Sequence, residues 1–474
     1  MSGRQEAPAT VVSDSTFGLK AGVLTQWETI AQSLSSIAPT ATPAMVLPLV
    51  IAVSGRSSWI VYLLATVAAL LVALHINVFA RDSASPGSLY AFVRLELSPT
   101  VGAVAGWAVL IAYLGTAAAV TGGVVQYIQG LLGGFFLHPF AGALLVVGSV
   151  FVAGFLAYRN VELSTRFMLW IEAASITLIL LLFFLPGGES KGWIDTSQFA
   201  ASSFHLQPVR AGLILAIFSF VGFESATALG AEAASPLRTI PRAVVVTALL
   251  SGVFFVLSSY KEMAAFGSNL DLLTSSAAPL QLLAQKKNAA WLSPLLTVGA
   301  VISFFACTLA CITAAARTAL LISSHGALPV RIGRSHQRNQ TPHIAVVVSS
   351  IIVALPPLWL TLSHVNGFDI YGWVGTVATF GFVTAYFLVV LAAIVRLHRT
   401  RRAHVWNYLV SALTLGFLAW AFAGSLNLEA PGPEHLFAPI YALLLACGVL
   451  LGVLVQRAQP DQTVLEPRGE APVE

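Results

Sequence analysis

The sequence SSIAPTATP at residues 35–43 interrupts the first long apolar stretch of the chain, and SFVGFES at residues 219–225 interrupts the sixth. Pro39 lacks an N–H and obstructs the preceding helical turn, whereas Gly222 frees the backbone between two phenylalanines. We therefore predict an unwound segment within each stretch. For the first stretch alone, a simple proline kink is the alternative.

Composition places most of the chain in a lipid bilayer. Of its 474 residues, 57% are hydrophobic and 9% are charged, and the mean hydropathy is +0.84, whereas a soluble domain carries about 25% charged residues. The net charge of +4 is too small to indicate nucleic acid as a partner. The three cysteines lie in apolar segments without the ligand pattern of a zinc site, so we expect no metal and no cofactor.

The hydropathy pattern predicts twelve transmembrane helices, since a spanning helix needs about 20 mostly apolar residues. The predicted spans are approximately 31–54, 58–80, 100–132, 140–158, 167–186, 208–232, 242–262, 292–322, 343–362, 370–395, 404–425 and 435–456. Residues 88–98 are predicted to form a short helix along the membrane surface.

The distribution of basic residues predicts the orientation. With the N-terminus in the cytoplasm, eighteen of the 24 Lys and Arg residues lie on the cytoplasmic side and six lie outside, as the positive-inside rule requires. Both termini are then cytoplasmic. Arginine outnumbers lysine 19 to 5, which favours a bacterial source and hence the cytoplasmic (inner) membrane.

Paired breaks in corresponding spans of two halves are typical of secondary transporters with inverted repeats and a site at the membrane midplane. The free N–H groups that begin the half-helix after a break favour a carboxylate. The free carbonyls that end the half-helix before a break favour an ammonium group or a cation. Two facing breaks would therefore suit a zwitterion.

Several motifs resemble those of the amino acid–polyamine–organocation (APC) permeases. They are residues 218–227 with Glu232 and 236–243, residues 86–90, residues 159–164, and residues 317–329 with 341–342. The resemblance covers roughly residues 20–400. It implies an all-α polytopic fold with two five-helix inverted repeats, at 21–200 and 201–400, and two peripheral helices at 401–457. Polar tails at 1–20 and 458–474 are expected to be disordered.

The resemblance also implies where the substrate binds. The substrate carboxylate would meet the first break and the amino group would meet the carbonyls of the second, with Phe220 or Phe223 closing over it. Tyr113 lies where relatives of this fold often place an aromatic residue that contacts the substrate. The candidate binding residues are Ser36, Ile37, Ala38, Pro39, Thr40, Thr42, Tyr113, Phe220, Val221, Gly222, Phe223 and Glu224. An intramembrane carboxylate such as Glu224 is a functional candidate by default; the alternative is a structural tie to a neighbouring helix.

The chain departs from the family pattern in places. Many members carry a glycine-rich run in the first span, where this chain has residues 36–40, and two adjacent acids where it has the single Glu232. Some proton-coupled members carry a lysine in the fifth span, but the corresponding residue here is Ser175, so that mechanism cannot be transferred.

Glu172, one turn from Ser175, is the candidate proton carrier, and a structural glutamate with a polar neighbour is the alternative. Ser303 and Thr308 lie near where a sodium-coupled relative would place ligands. Proton symport is the first expectation for coupling, and exchange of one substrate for another is the second.

The function predicted from the sequence is non-enzymatic transport of an amino acid, foremost a neutral one, or a related amine. A cationic substrate or a polyamine would fit if Glu224 faces the cavity, and an anionic substrate fits least well, since no Lys or Arg lies at a span centre. The alternatives are a carrier of the same fold for a nucleobase or another non-amine, and a nutrient-sensing receptor, for which the short tails leave little room. A membrane enzyme would need a cluster of His, Asp or Glu at one face, which the sequence lacks. The expected partners are the substrate, the lipid bilayer and, in symport, a proton; the oligomeric state is left open.

Overall fold

A computed structural model of the protein describes residues 17–83, 85, 86, 88–159, 161–187, 195–199, 206–267, 269–274, 276, 278–426 and 432–458. This part of the chain contains sixteen α-helices and no strand. They are α1 (Gln26–Ile37), α2 (Leu47–Ser54), α3 (Ser58–Ala80), α4 (Ser88–Glu96), α5 (Pro99–Leu132), α6 (Pro139–Arg159), α7 (Val161–Phe184), α8 (Leu206–Phe218), α9 (Pro236–Phe266), α10 (Leu270–Thr274), α11 (Pro279–Lys286), α12 (Ser293–Ser324), α13 (His343–Leu362), α14 (Gly367–Arg399), α15 (Val405–Ser425) and α16 (Phe437–Ala458). Most of the predicted tails, the boundary predicted at 200/201, and Gly87 and Asn160 of the family motifs lie outside the described residues.

Ten helical segments of the described chain are long and apolar enough to cross a bilayer. The first, Gln26–Ala80, has 55 residues, more than twice the roughly 20 that one crossing needs. The apolar helix α8 has 13 residues and is not among the ten. The chain is thus an all-α, multi-pass membrane protein, while twelve crossings and inverted repeats remain predictions.

The predicted spans agree closely with the helices, and two of them, 58–80 and 343–362, coincide with α3 and α13. The predicted surface helix corresponds to α4. The seventh predicted span is too short at both ends, because α9 begins at Pro236 and ends at Phe266. Proline is compatible with the first turn of a helix, where its missing N–H would have no helical partner.

The centre of the bundle is α5, which packs against α12 and α14. The most apolar window of α5 is 83% buried, whereas those of α15 and of the C-terminal segment that contains α16 are 22% and 17% buried. Small residues allow the close approach: a Cβ added at Gly115 would lie 2.9 Å from the Cβ of Ala378 on α14. The last two helices therefore lie at the edge of the bundle.

A buried ion pair joins the segment that follows the second break to α12. The Arg317 guanidinium donates to both carboxylate oxygens of Glu232, with 2.7 Å between Nη2 and Oε1, and both side chains are fully buried. Leu24 lies beside this pair: its N–H donates to the Glu232 carbonyl at 3.0 Å, and its carbonyl accepts from the N–H of Ala234 at 2.9 Å. We call this end of the bundle, with Leu24, Glu232 and Arg317, the inner end.

Replacing Arg317 by leucine should lower the free energy of unfolding by about 3–5 kcal/mol, because Glu232 would stay buried without its counter-charge. Thermal unfolding of the purified protein in detergent measures the effect. Arg399→Leu is the matched control, since Arg399 is 60% exposed and reaches Glu96 only at 3.4 Å; its loss should cost at most about 1 kcal/mol. Equal melting temperatures for the two variants would contradict a stabilising role for the buried pair.

Candidate functional site

The first membrane segment is broken and not merely kinked. α1 ends at Ile37 because Ala38 adopts a left-handed conformation (φ 48°, ψ 71°) and Pro39 offers no N–H. A π-helical turn, Thr42–Val46, follows before α2 begins. The backbone around Pro39 is thus free of regular helical hydrogen bonding, as the sequence predicts.

The second break follows α8. Residues 219–224 form consecutive turns and lead into a 3₁₀-helix, Ser225–Leu229. Gly222 has a φ of +93°, a conformation that a side chain would disfavour. The carbonyls of Ser219 and Val221 accept no hydrogen bond from the described residues. The segment therefore exposes acceptors inside the bundle.

The two breaks touch each other. A Cβ added at Gly222 would lie 2.6 Å from the Cβ of Ser36 and 3.1 Å from its carbonyl, so only glycine permits this approach. The Ser225 hydroxyl donates to the Ser36 hydroxyl at 2.7 Å, and the Ala226 N–H donates to the Ser33 hydroxyl at 2.9 Å. From α12, the Cys307 thiol donates to the Ser36 carbonyl at 3.1 Å. Residues far apart in the sequence thus meet in one buried site.

Glu224 is held by two tyrosines. The Tyr113 hydroxyl donates to Oε1 at 2.7 Å and the Tyr386 hydroxyl donates to Oε2 at 2.6 Å. All three residues are buried, so these hydrogen bonds satisfy both carboxyl oxygens away from water. Glu224 therefore ties the second break to α5 and α14. Both Glu224 and Tyr113 already have a partner at their polar atoms, so a substrate would have to compete for them.

The two phenylalanines of the second break lie in different aromatic groups. Phe220 packs edge-to-face against Phe255, with 5.2 Å between ring centroids, and Phe223 lies 5.5 Å from the Tyr386 ring. Tyr62 also contacts Phe255, and its hydroxyl shares a hydrogen bond of 3.2 Å with the Ser219 hydroxyl. Aromatic surface from α3 and α9 therefore adjoins the break on the Phe220 side.

Two hydroxyls of the first break lack partners in the described structure. Thr40 and Thr42 are each 1% exposed, and neither hydroxyl has a hydrogen bond. Leaving a buried polar group unsatisfied costs about 1–3 kcal/mol, so such atoms suggest a ligand site. The remaining candidates, Ile37, Ala38, Pro39 and Val221, are also buried and contribute backbone to the two breaks.

The coupling candidates separate into two groups. Glu172 on α7 is fully buried, and the Ser303 hydroxyl of α12 lies 2.9 and 3.0 Å from its two oxygens. Ser175 donates to the Gly299 carbonyl of the same helix at 3.2 Å. Thr308 instead donates to the Phe304 carbonyl of its own helix at 3.1 Å. No group of three or more His, Cys, Asp or Glu residues that could hold a metal ion occurs among the described residues.

Several residues at or near the site were not predicted from the sequence. Tyr386, Tyr62 and Cys307 lie within apolar spans, where no local pattern distinguishes them from packing residues. Glu262 is the last residue of a predicted span, beside Lys261. In the structure it is fully buried, and neither of its carboxyl oxygens has a hydrogen-bond partner in the described chain. The sequence feature that could have identified Glu262 is its position as an acidic residue at the end of an apolar run.

Comparisons with known proteins agree with this architecture. The family model described as "Amino acid permease" matches residues 29–430. The chain is 26% identical to an uncharacterized transporter of Mycobacterium tuberculosis over 62% of this chain and 64% of the relative, less than two thirds of that relative's length. It is 28% identical to the low-affinity putrescine importer PlaP of Escherichia coli over 42% of this chain and 44% of the relative. It is 22% identical to the branched-chain amino acid permease BcaP of Bacillus subtilis over 71% of this chain and 74% of the relative.

Gly222→Ala should destabilise the protein by about 1–3 kcal/mol, since the new methyl group would overlap Ser36 in a backbone conformation that favours glycine. Thermal unfolding in detergent measures this change. Gly416→Ala on α15 is the matched control, because an added Cβ there meets nothing within 4 Å; it should be neutral or slightly stabilising. If the Gly222→Ala protein had the same melting temperature as the control, the two breaks would not be in tight contact.

Proposed function

The chain belongs to the amino acid permease family, and we propose that it is a secondary transporter that moves an amino acid or a related amine by alternating access. The observation that carries this proposal is the contact between the two helix breaks, with Gly222 packed on Ser36. Unpaired backbone is costly in lipid and persists where it is buried in protein or lines a site. A pair of such breaks offers acceptors and donors to one small polar molecule.

The polar groups of the breaks suit the two ends of an amino acid. The hydroxyls of Thr40 and Thr42 are buried without partners and could donate to a carboxylate. The carbonyls of Ser219 and Val221 could accept from an ammonium group. The relatives BcaP and PlaP are named for a branched-chain amino acid and for putrescine, and both substrates carry an amino group.

The burial of the site supports the proposal of alternating access. Ser36, Phe220 and Glu224 are at most 2% exposed, and the inner end is closed by the Arg317–Glu232 pair and the backbone bonds of Leu24. A substrate cannot reach the breaks unless these elements move. We propose that the inner end faces the cytoplasm of a bacterium, in agreement with the basic residues of the sequence.

Glu172 is the proposed proton carrier. Its carboxyl is fully buried, and its described hydrogen-bond partner is the hydroxyl of Ser303 on α12. The same helix carries Cys307, whose thiol contacts the first break. A change in the charge of Glu172 would therefore act on a helix that touches the proposed substrate site.

The experiment for the proposed function is thermal stabilisation of the purified protein by a panel of amino acids, amines, nucleobases and sugars. A ligand at about 100 times its Kd that binds only the folded state adds about 2.7 kcal/mol of stability. An amino acid or amine should raise the melting temperature, and Gly222→Leu should abolish that rise. Gly416→Leu is the control, since its position has open space. Stabilisation by nucleobases or sugars alone would overturn the proposed substrate class.

Proton coupling is tested by Glu172→Gln in proteoliposomes. This variant should still exchange labelled substrate across the membrane but should lose accumulation driven by a pH gradient, because an amide cannot carry the proton. Accumulation and exchange are measured on the same preparation. Ser175→Ala is the control, since it removes a neighbouring hydroxyl of α7 without changing a titratable group. Unchanged pH-driven accumulation in Glu172→Gln would exclude Glu172 as the carrier.

A further inference from the structure

Six glutamates of the described chain are more than nine-tenths buried, and five of them have polar partners. The pairs are Glu28 with Arg166, Glu96 with Arg396, Glu172 with Ser303, Glu224 with Tyr113 and Tyr386, and Glu232 with Arg317. The sixth is Glu262, on the last two turns of α9. Neither of its oxygens accepts a hydrogen bond from the described residues. It differs in this respect from every other buried acid described.

Basic residues near Glu262 do not supply the missing partner. No cation of the described chain donates a hydrogen bond to either Glu262 oxygen. Lys261, the next residue in the chain, places its ammonium group over the Phe184 ring, 5.5 Å from the centroid. An ionised carboxyl that is buried without partners is strongly unfavourable, and buried charges in proteins are ordinarily paired. The site therefore lacks a donor, which a ligand can provide.

The surroundings of Glu262 connect it to both helix breaks. On α9, Glu262 lies about two turns beyond Phe255 and on the same face of the helix, and its carboxyl is near the hydroxyls of Tyr62 and Tyr127. The Tyr62 hydroxyl contacts Ser219 at the second break, and the Tyr127 hydroxyl donates to the Ala44 carbonyl, just after the first break, at 3.0 Å. The helix that carries Glu262 also packs against the turn Thr42–Val46. Glu262 thus lies near two tyrosines that contact the helix breaks, on the side away from the inner end.

We propose that Glu262 binds a second positively charged group of the substrate, so that the preferred substrate is a basic amino acid or a diamine. An ammonium group provides several N–H donors, which would satisfy both carboxyl oxygens with charge-assisted hydrogen bonds. Glu224 is less suited to this role, since Tyr113 and Tyr386 already donate to its two oxygens. This inference rests on the proposed function and changes the expected substrate from neutral to cationic.

The test compares lysine with norleucine, which has the same carbon chain without the terminal ammonium group. Competition against a labelled amino acid in proteoliposomes should show at least about a tenfold preference for lysine, since a site built to bind a polar group rejects an analogue that lacks it. Glu262→Gln, which keeps the shape and removes the charge, should reduce the preference to less than about threefold. Glu434→Gln, at an exposed acid shortly before α16, is the control and should keep it.

The outcomes separate this inference from the function on which it rests. Uptake of norleucine by the unchanged protein without a preference for lysine would overturn the role of Glu262 while the transport of amino acids would stand. Failure of the folded protein to bind any amino acid or amine would overturn both. A Glu262→Gln variant that alters only the sodium or pH dependence of norleucine uptake would assign the carboxyl to a co-transported ion, against the proposal.

Folding of the variants is checked by size-exclusion chromatography and thermal unfolding. Should Glu262→Gln not fold, Glu262→Asp provides a second test, since it keeps the charge but withdraws it by one methylene group. The preference for lysine should then fall at least about threefold. A preference that stays at the level of the unchanged protein would contradict direct contact between the carboxyl and the second ammonium group.

Discussion

The contact of Gly222 with Ser36 is the constraint on which the rest of the structure depends. Two interrupted helices meet there without an intervening side chain, and hydrogen bonds from Ser225 and Ala226 hold the junction. Unpaired backbone costs several kcal/mol per group in lipid, so each break requires protein around it. Packing one break against the other, with α5 and α12 outside them, provides that environment and concentrates unused backbone groups in one place.

The buried polar groups of this interior are of two kinds. Some are satisfied by other residues and hold the fold, and others have no hydrogen-bond partner in the described chain. The Arg317–Glu232 pair fixes the segment after the second break at the inner end, and Glu224 fixes the break itself to α5 and α14. These carboxylates are satisfied, so each contributes to a defined arrangement of the half-helices. The hydroxyls of Thr40 and Thr42 and the carboxyl of Glu262 lack such partners. The contrast distinguishes structural acids from a binding acid more clearly than burial does, since all of them are buried.

Local signals explain what the sequence predicted well. The lengths of apolar runs placed α3 and α13 to the residue, and proline and glycine located both breaks, because these residues act on their own backbone. The partners of Glu224 could not be predicted, since Tyr113 and Tyr386 are 111 and 162 residues away in the chain. Thr308 was predicted as a candidate for ion coupling. In the structure its hydroxyl donates to the carbonyl one turn earlier in its own helix, as hydroxyls in membrane helices often do. The hydropathy pattern ended the predicted seventh span at Glu262, whereas α9 continues to Phe266. Because Glu262 was placed at the end of a span, its burial was not predicted.

The position of Glu262 offers a way for substrate binding to act on the breaks. A ligand shifts a conformational equilibrium only by as much as its affinity differs between the two states. Tyr62 and Tyr127 contact one break each, and both lie near Glu262. A substrate ammonium group bound at Glu262 would change the field at both hydroxyls at once, and hence the strength of both contacts. A substrate without a second ammonium group would not do so, and the second positive charge therefore serves the conformational change as well as recognition.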